Sequence, residues 1–172
     1  MRRFWLALLL LAITGPALAQ LRVVSLAPSL SEIVVELDSA DLLVGVLDAG
    51  ERPAAIAQVA SVGRYGQLDM ERLLSLKPDL LLLWPGSVGP AQRDQLQRLG
   101  LPIFVAEPHS LEQLITQIEA IAAQLGRPSR GVVRASELRK QLTELRQRYR
   151  RDTPLKVFYQ VWDKPLYTVG GG

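Results

Sequence analysis

Short apolar runs alternate along the chain with segments whose apolar residues recur at helical spacing. The runs are rich in Val, Ile and Leu and therefore predict β-strands. The third run is almost entirely Leu, which is expected for a strand covered on both faces. Strands that alternate with helices predict βαβ units and a parallel sheet. The predicted strands cover residues 21–27, 42–47, 80–84 and 103–106.

Four segments between and after these strands carry helix signals. Two begin with a capping-box pattern, at Ser29 and at Ser110, and one begins with Asp69, a residue type favoured at helix N-termini. Gly100 and Gly126 close two of the segments, as glycines at helix C-termini do. We therefore predict an α/β fold, a Rossmann-like parallel sheet lobe with helices on both faces. The predicted helices cover residues 29–38, 69–76, 90–99 and 110–126.

A long basic segment, residues 128–151, breaks this alternation. It has no Gly or Pro after Gly131 and carries an approximate helical stripe, so it predicts a helix of about 30 Å at 1.5 Å per residue. This length suits a strut between two lobes, and a strand predicted at 155–161 would open the second lobe. The stripe consists of Val132, Val133, Ser136, Leu138, Leu142, Leu145 and Tyr149.

These elements predict three parts after a leader segment: an α/β lobe at residues 20–127, a long interlobe helix at 128–152, and the start of a second lobe at 153–172. A glycine run at 170–172 follows soon after the first strand of that second lobe, so we expect the second lobe to be missing beyond its first strand. A lone first lobe would leave the last strand without neighbours, and we expect it to self-associate.

The first 19 residues have the three parts of a secretory signal. Arg2 and Arg3 form the basic region, residues 4–13 the apolar core and residues 17–19 the small-residue cleavage site, so cleavage after Ala19 is predicted. An uncleaved anchor is the alternative, but the apolar core is short for a membrane span. The chain has no Cys, which excludes disulfides, thiolate metal sites and a lipoprotein anchor. We predict a periplasmic location.

Charge is distributed unevenly along the chain. Residues 20–126 carry 7 basic and 13 acidic side chains, whereas residues 127–156 carry 10 basic and 3 acidic ones. A basic helical segment is typical of nucleic-acid or anionic-membrane binding, and also of a long solvated helix. Export removes the usual nucleic-acid partners, so we predict a solvated helix and no binding to nucleic acid.

Several motifs resemble class III periplasmic binding proteins of ABC importers. They are the opening strand and helix at residues 22–32, the Val-Gly-Val of residues 44–46, and residues 62–65 (VGRY) followed by residues 69–80 (DMERLLSLKPDL). The last motif resembles a signature of this group, whose ligands are iron siderophores, haem or cobalamin. The resemblance covers about residues 21–172 and corresponds to about the first half of a family member. It implies a binding protein that delivers a metal chelate to ABC permease subunits and is a monomer when complete.

Within this group the chain looks most like the cobalamin-binding proteins. Residues 83–86 (LWPG) resemble their strand end, and residues 157–161 with 165–168 resemble the first strand and loop of their second lobe. The resemblance implies capture of cobalamin or another corrinoid as a transported ligand, and haem or a ferric siderophore is the alternative. Ala49 and Arg52 stand at loop positions that the cobalamin group often fills with Tyr, which weakens the case for cobalamin.

Candidate ligand contacts lie at the ends of the predicted strands, where open parallel sheets bind their ligands. Trp84 and Tyr65 have flat apolar faces on which a macrocycle can stack, and each would also suit ordinary packing. Ser29 offers a backbone N–H at a helix start and is equally well explained as a cap. The resemblance adds three positions in the second lobe: Val161, Trp162 and Tyr167.

Four charged or titratable residues have further possible roles. Glu71 matches a motif position where the family carries an acidic residue that docks onto permease arginines, and the helix dipole also explains a carboxylate there. His109 is the only His in the chain, and we predict a loop residue rather than a metal ligand. Arg52 and Arg64 would suit the anionic groups of a siderophore.

An α/β hydrolytic enzyme is the alternative from another class. The first predicted strand leads into residues 27–31 (APSLS), which cannot serve as a Gly-rich phosphate loop. A nucleophilic Ser29 or Ser31 would need His109 from another strand end, with no clear acid partner. We therefore predict no enzymatic activity, no catalytic cofactor and no metal site.

Overall fold

A computed structural model of the 172-residue chain describes residues 20–153, 155–163 and 166–168. The predicted signal segment, residues 1–19, and the glycine run at 170–172 lie outside the described residues. The chain divides into two compact units, one that ends at Arg139 and one that begins at Lys140. The predicted bounds of lobes and interlobe helix stay predictions.

Six strands form the sheet of the first unit: β1 (Val23–Ser25), β2 (Leu43–Asp48), β3 (Ala60–Arg64), β4 (Gln67–Leu68), β5 (Leu80–Leu83) and β6 (Ile103–Val105). Their order is β4-β3-β2-β1-β5-β6. The short β4 pairs antiparallel with β3, and the other neighbours pair in parallel. The four predicted strands are present, and the predicted α/β class is confirmed.

The described residues form five α-helices: α1 (Pro28–Glu36), α2 (Met70–Ser75), α3 (Pro90–Arg98), α4 (Leu111–Gln124) and α5 (Pro128–Arg148). Two predicted caps are confirmed. The Asp69 carboxylate accepts a hydrogen bond from the backbone N–H three residues later (2.8 Å), and the Ser110 hydroxyl accepts the equivalent bond (3.1 Å). Gly100 and Gly126 follow α3 and α4 with φ of 67° and 71°, which is the conformation that closes a helix with least strain in Gly.

The strand β5 lies between two hydrophobic layers. Leu80 and Leu82 belong to a cluster with residues of α1 and α4, whereas Leu81 and Leu83 belong to a cluster with residues of α2 and α3. All four side chains are buried, which confirms that the strand is covered on both faces. Burial of each Leu contributes about 1.5–3 kcal/mol, so this strand holds the two layers together.

The start of α1 differs from the prediction. Ala27 occupies the N-cap with extended backbone (φ −155°, ψ 140°), Pro28 is the first helical residue, and no side chain caps the helix. Proline suits this position because its fixed φ is helical and its missing N–H would have no partner in the first turn. The predicted capping role of Ser29 is therefore wrong, and Ser29 lies exposed in the first turn.

The sequence pattern misses β3 and β4, whose residues include Ala, Ser, Gly and Gln rather than a β-branched run. The strand β3 forms because it pairs with β2. Gly66, at φ 74°, then turns the chain back into β4. Pairing with a neighbouring strand overrides the low strand propensity of this segment.

The helix α5 buries only part of the predicted stripe. Gly131 and Ala135 are buried, and Leu138 packs on the cluster of α1 and α4, whereas Val132 is 58% exposed. A Cβ atom at Gly131 would lie 2.5 Å from the Cβ atom of Ala122 on α4. The predicted stripe is therefore only partly right: its member Leu138 packs on the core, whereas Val133, Leu145 and Tyr149 are exposed. Small residues let the two helices approach closely.

The second unit contains the end of α5 and an antiparallel pair of strands, β7 (Gln160–Asp163) and β8 (Leu166–Thr168). The strand predicted at 155–161 begins at Gln160 instead. The partner strand has three residues, and its register runs from Gln160 opposite Thr168 to Asp163 opposite Leu166. Residues 155–159 are exposed and pair with no strand among the described residues.

Candidate ligand-binding site at the strand ends

The carboxyl ends of the parallel strands open on one edge of the sheet. Ser25 at the end of β1 pairs with Val46 of β2, and Leu83 at the end of β5 pairs with Val105 of β6. The segments that follow these strands therefore lie along the same edge, where open parallel sheets bind ligands. The predicted strand-end segments on this edge are residues 27–29, 47–49, 84–85 and 107–109.

Two of the predicted contact residues meet at this edge. The ring centroids of Tyr65 and Trp84 are 6.3 Å apart, and the ring planes are tilted by 40°. Tyr65 lies in the turn between β3 and β4, and Trp84 directly follows β5, so the pair joins two separate parts of the chain. Tyr65 is 54% exposed and Trp84 39% exposed. Such exposure of two adjacent aromatic rings leaves apolar surface for a flat ligand.

Backbone hydrogen bonds connect the two segments that carry these rings. A 3₁₀ turn, Pro85–Ser87, follows Trp84. The N–H and hydroxyl of Ser87 donate to the carbonyl of Trp84 (3.0 and 2.7 Å), and the N–H of Gly66 donates to the carbonyl of Ser87 (3.3 Å). Ser87 itself is buried. The sequence does not predict this role of Ser87, and its position directly after Pro85 and Gly86 is the one local indication of a turn there.

The first turn of α1 brings serine groups of two kinds to the edge. Ser29 is exposed, and a backbone N–H at this helix position has no partner within the helix. Ser31 is buried, and its hydroxyl donates to the Ser25 hydroxyl (2.9 Å) and to the carbonyl of Ala27 (3.2 Å). These hydrogen bonds give Ser31 a structural role, which argues against a nucleophile there.

Arg52 is bound within the loop that follows β2. Its guanidinium donates to the Asp48 carboxylate (2.8 Å) and to the carbonyl of Val59 (2.5 Å), and the Ser61 hydroxyl donates to the other Asp48 oxygen. The hydrogen bond from Ser61, followed by that from Arg52, holds the pKa of the Asp48 carboxyl below its ordinary value. Arg52 therefore fixes the loop, and the support that it was expected to give to an anionic siderophore is lost. Arg64 is exposed.

Two further predicted residues are exposed. His109 lies before α4, and its backbone N–H donates to the side-chain carbonyl of Gln113 (2.6 Å). In the part of the chain that the structure describes, no three His, Asp or Glu side chains are grouped to hold a metal ion. Glu71 lies in the first turn of α2, where a carboxylate interacts favourably with the helix dipole.

The predicted contacts of the second lobe fall in the separate second unit. Val161 and Trp162 lie in β7 and Tyr167 lies in β8, where Trp162 is opposite Tyr167. Their part in ligand binding remains a prediction.

Sequence comparison assigns the chain to a family. The profile of the periplasmic binding protein family matches residues 23–171. The chain belongs to the periplasmic binding protein family. Its members are substrate-binding proteins rather than enzymes, and the family is periplasmic. None of the helices in the described part of the chain combines the length and apolar character of a membrane span.

Relatives within the family bind corrinoids or haem. A vitamin B12-binding protein of Yersinia pestis is 34% identical over 164 residues, which are 95% of this chain and 59% of that protein. The crystal structure of a periplasmic vitamin B12-binding protein of Vibrio cholerae matches with a TM-score of 0.79 and 31% identity, covering 86% of this chain and 58% of that one. A periplasmic haem-binding protein of Pseudomonas aeruginosa matches with a TM-score of 0.65 and 34% identity, covering 73% and 46%. The chain spans 59% of the length of the curated relative.

Proposed function

We propose that this chain forms the first ligand-capture lobe of a periplasmic binding protein for cobalamin or another corrinoid. The observation that carries the proposal is the exposed Tyr65–Trp84 pair at the carboxyl edge of the sheet. Similarity to vitamin B12-binding proteins over 95% of the chain supports the choice of ligand.

Binding of a flat macrocycle requires apolar faces and a few polar groups at its rim. Trp84 and Tyr65 provide the faces on this lobe, and the backbone N–H of Ser29 suits a rim amide or carboxylate. The second lobe would contribute Val161, Trp162 and Tyr167. The bounds proposed for the parts are 20–127 for the first lobe, 128–152 for the interlobe helix, and 153–172 for the start of the second lobe.

The ligand would be delivered to the permease subunits of an ABC importer. Export would use residues 1–19, with cleavage after Ala19. Glu71 would dock onto basic residues of the permease, since its carboxylate lies exposed on the first turn of α2. A charged residue at the edge of a protein–protein interface mainly speeds association and orients the partner. No catalytic step and no catalytic cofactor are required.

Equilibrium dialysis of the chain against cyanocobalamin, haemin and a ferric siderophore tests the ligand class. We expect selective retention of cyanocobalamin. Trp84→Ala should lower the affinity about 3- to 30-fold, because stacking and apolar contact with one aromatic side chain contribute about 0.5–2 kcal/mol.

Tyr149→Ala is the control, because Tyr149 is another exposed aromatic residue and lies directly after α5, away from the strand ends. It should leave the affinity unchanged. Equal losses in the two variants would contradict a site at Trp84. Retention of none of the three ligands would contradict the proposal for this chain.

Haem is the second candidate, and one observation favours it. The haem-binding protein of Pseudomonas aeruginosa is as similar in sequence, at 34% identity, as the vitamin B12-binding relative, although it is matched over less of this chain. An aromatic platform would also stack a porphyrin. Selective retention of haemin in the same dialysis would replace cobalamin by haem and keep the transport role.

A further inference from the structure

The indole ring of Trp84 lies against the backbone of its own turn. A Cβ atom at Gly86 would be 2.7 Å from Cη2, 2.8 Å from Cζ2 and 3.0 Å from Cζ3 of Trp84. Such distances are shorter than carbon atoms in contact tolerate, since optimal separations are about 3.5–4.0 Å. The absence of a side chain at position 86 is therefore a condition for the observed position of the ring.

We propose that Gly86 is a positioning residue: its lack of a side chain leaves the space in which the Trp84 indole lies beside Tyr65, and so sets the geometry of the aromatic platform. This inference rests on the proposed function, because it names what orients the ring on which the ligand would stack. Gly86 is the exposed residue of the 3₁₀ turn Pro85–Ser87, between Trp84 and the buried Ser87. Its φ is not in the left-handed region, which distinguishes it from the glycines that are required for their backbone conformation.

Hydrogen bonds fix the backbone around Trp84, so a methyl group added at position 86 would displace the indole ring. The carbonyl of Trp84 is fixed by two hydrogen bonds from Ser87, and the Ser87 carbonyl is bound by the Gly66 N–H beside Tyr65. The three atoms nearest to position 86 all belong to the outer end of the indole. A methyl group at 86 should therefore rotate the ring away and leave the fold intact. A ring that is oriented before the ligand arrives binds with a smaller loss of conformational freedom.

The test uses the full chain with Trp5→Phe and Trp162→Phe, so that Trp84 is its only tryptophan. In the absence of ligand, Gly86→Ala should increase acrylamide quenching of Trp84 fluorescence about 2-fold and change the near-UV circular dichroism, with an unchanged urea midpoint. Gly89→Ala is the matched control, because a Cβ atom at Gly89 meets nothing within 4 Å. It should change neither signal.

Binding of cyanocobalamin is measured on the corresponding proteins with Trp162 restored, because Trp162 is itself a proposed ligand contact. Gly86→Ala should weaken it about 3- to 10-fold, which is the range expected when one side chain must be ordered on binding, and Gly89→Ala should not. In a Trp84→Phe background, which lacks the outer ring, Gly86→Ala should have no further effect on affinity or on the urea midpoint. A lowered midpoint that persists in that background would overturn the proposal, because the added methyl group would then clash with the backbone.

Unchanged quenching in Gly86→Ala, or unchanged affinity for a ligand that the parent binds, would also overturn it. If the parent binds no cyanocobalamin but the quenching and circular dichroism change as expected, the positioning role stands and the proposed ligand fails. The spectroscopic arm therefore separates failure of this inference from failure of the proposed function.

Discussion

Asp48 shows how a single residue stabilises the rim of the site. It ends β2 beside the exposed segment 49–51, and it receives hydrogen bonds from Arg52 and Ser61. These bonds connect the loop after β2 to β3, the neighbouring strand. The loop is thus held by an internal ion pair, and neither partner is free to bind a ligand.

The stability of this loop should depend on pH. The folded-state pKa of Asp48 is lowered from its ordinary value of 3.8, chiefly by the Ser61 hydroxyl and then by Arg52. A carboxyl with a lowered folded pKa stabilises the fold above its unfolded pKa, and this stabilisation disappears as the pH falls through the folded pKa. Asp48→Asn should lower the free energy of unfolding at pH 7 by about 1 kcal/mol, a small value because solvent screens a partly exposed pair.

Urea unfolding of parent and variant at several pH values between 7 and 2.5 measures this effect. The difference in free energy of unfolding between the parent and Asp48→Asn should narrow below pH 4. Asp94→Asn, at an exposed position of α3, should give no such difference. A gap between parent and Asp48→Asn that stays constant down to pH 2.5 would show that the charge of Asp48 is not involved.

At the level of secondary-structure elements, the helices α4 and α5 cross in close contact. Gly131 is buried, and an added Cβ atom would lie 2.5 Å from Ala122 Cβ and 3.0 Å from Glu119 Cα. Beside this contact, the guanidinium of Arg139 binds the Glu119 carboxylate (2.6 and 3.1 Å). The crossing of α4 and α5 is therefore fixed by close backbone approach at Gly131 together with the Arg139–Glu119 ion pair.

Gly131→Ala should destabilise the chain although Ala favours helix. The gain in helix propensity is about 1 kcal/mol, whereas overpacking a close contact costs about 1–3 kcal/mol and the nearest atoms belong to backbone and Cβ. We expect a net loss of about 1 kcal/mol in the free energy of unfolding, measured by urea titration.

Two variants control this prediction. Ser136→Ala, at an exposed position of α5, should be neutral or slightly stabilising. Adding Ala122→Gly to Gly131→Ala removes the nearest atom and should restore part of the lost stability, beyond the usual cost of Gly in a helix. If Gly131→Ala alone raises the urea midpoint, the helices are not in close contact at this crossing.

In the whole molecule, ion pairs between the acidic and the basic part of the chain balance much of its uneven charge distribution. Arg127, which precedes α5, binds Asp41 (2.6 Å), and Arg134 of α5 binds Glu36 (2.7 Å), so basic residues of segment 127–156 neutralise acidic residues of segment 20–126. The hydrogen bond from Arg127 lowers the pKa of Asp41. The helix α5 is exposed over most of its length, as predicted, while Arg130, Arg134 and Arg139 bind residues of other elements of the first unit.

The proposed docking role of Glu71 concerns the whole molecule, because its partner would be another protein. The test uses a strain in which this chain supplies the only cobalamin-binding protein. Glu71→Lys should abolish or strongly reduce its cobalamin-dependent growth, since a lysine would repel a basic permease surface. Ligand retention by the purified variant should be unchanged. The measurement is growth rate against cobalamin concentration, together with dialysis of the purified protein.

Asp94→Lys is the control, because it makes the same charge change at another exposed position. It should leave growth unaffected. Equal growth defects in both variants would point to a general effect of net charge and contradict docking through Glu71.

The sequence alone determined the features that rest on local interactions. The Leu run of residues 80–83 was predicted as a doubly covered strand because composition reports burial directly. Asp69 and Ser110 were predicted as caps because a cap binds a backbone N–H only three residues away. The position of Trp84 at a strand end follows from the same local pattern.

Only the tertiary structure decided the features that depend on distant residues. The strand β3 forms by pairing with β2, and the buried face of α5 depends on contact with Ala122, so neither is encoded in its own periodicity. Tyr65 and Trp84 are 19 positions apart in sequence, and their 6.3 Å approach is set by two separate turns and the hydrogen bond between them. Local sequence therefore determines where elements begin and what they bury, whereas the distance between side chains from different elements is fixed by packing.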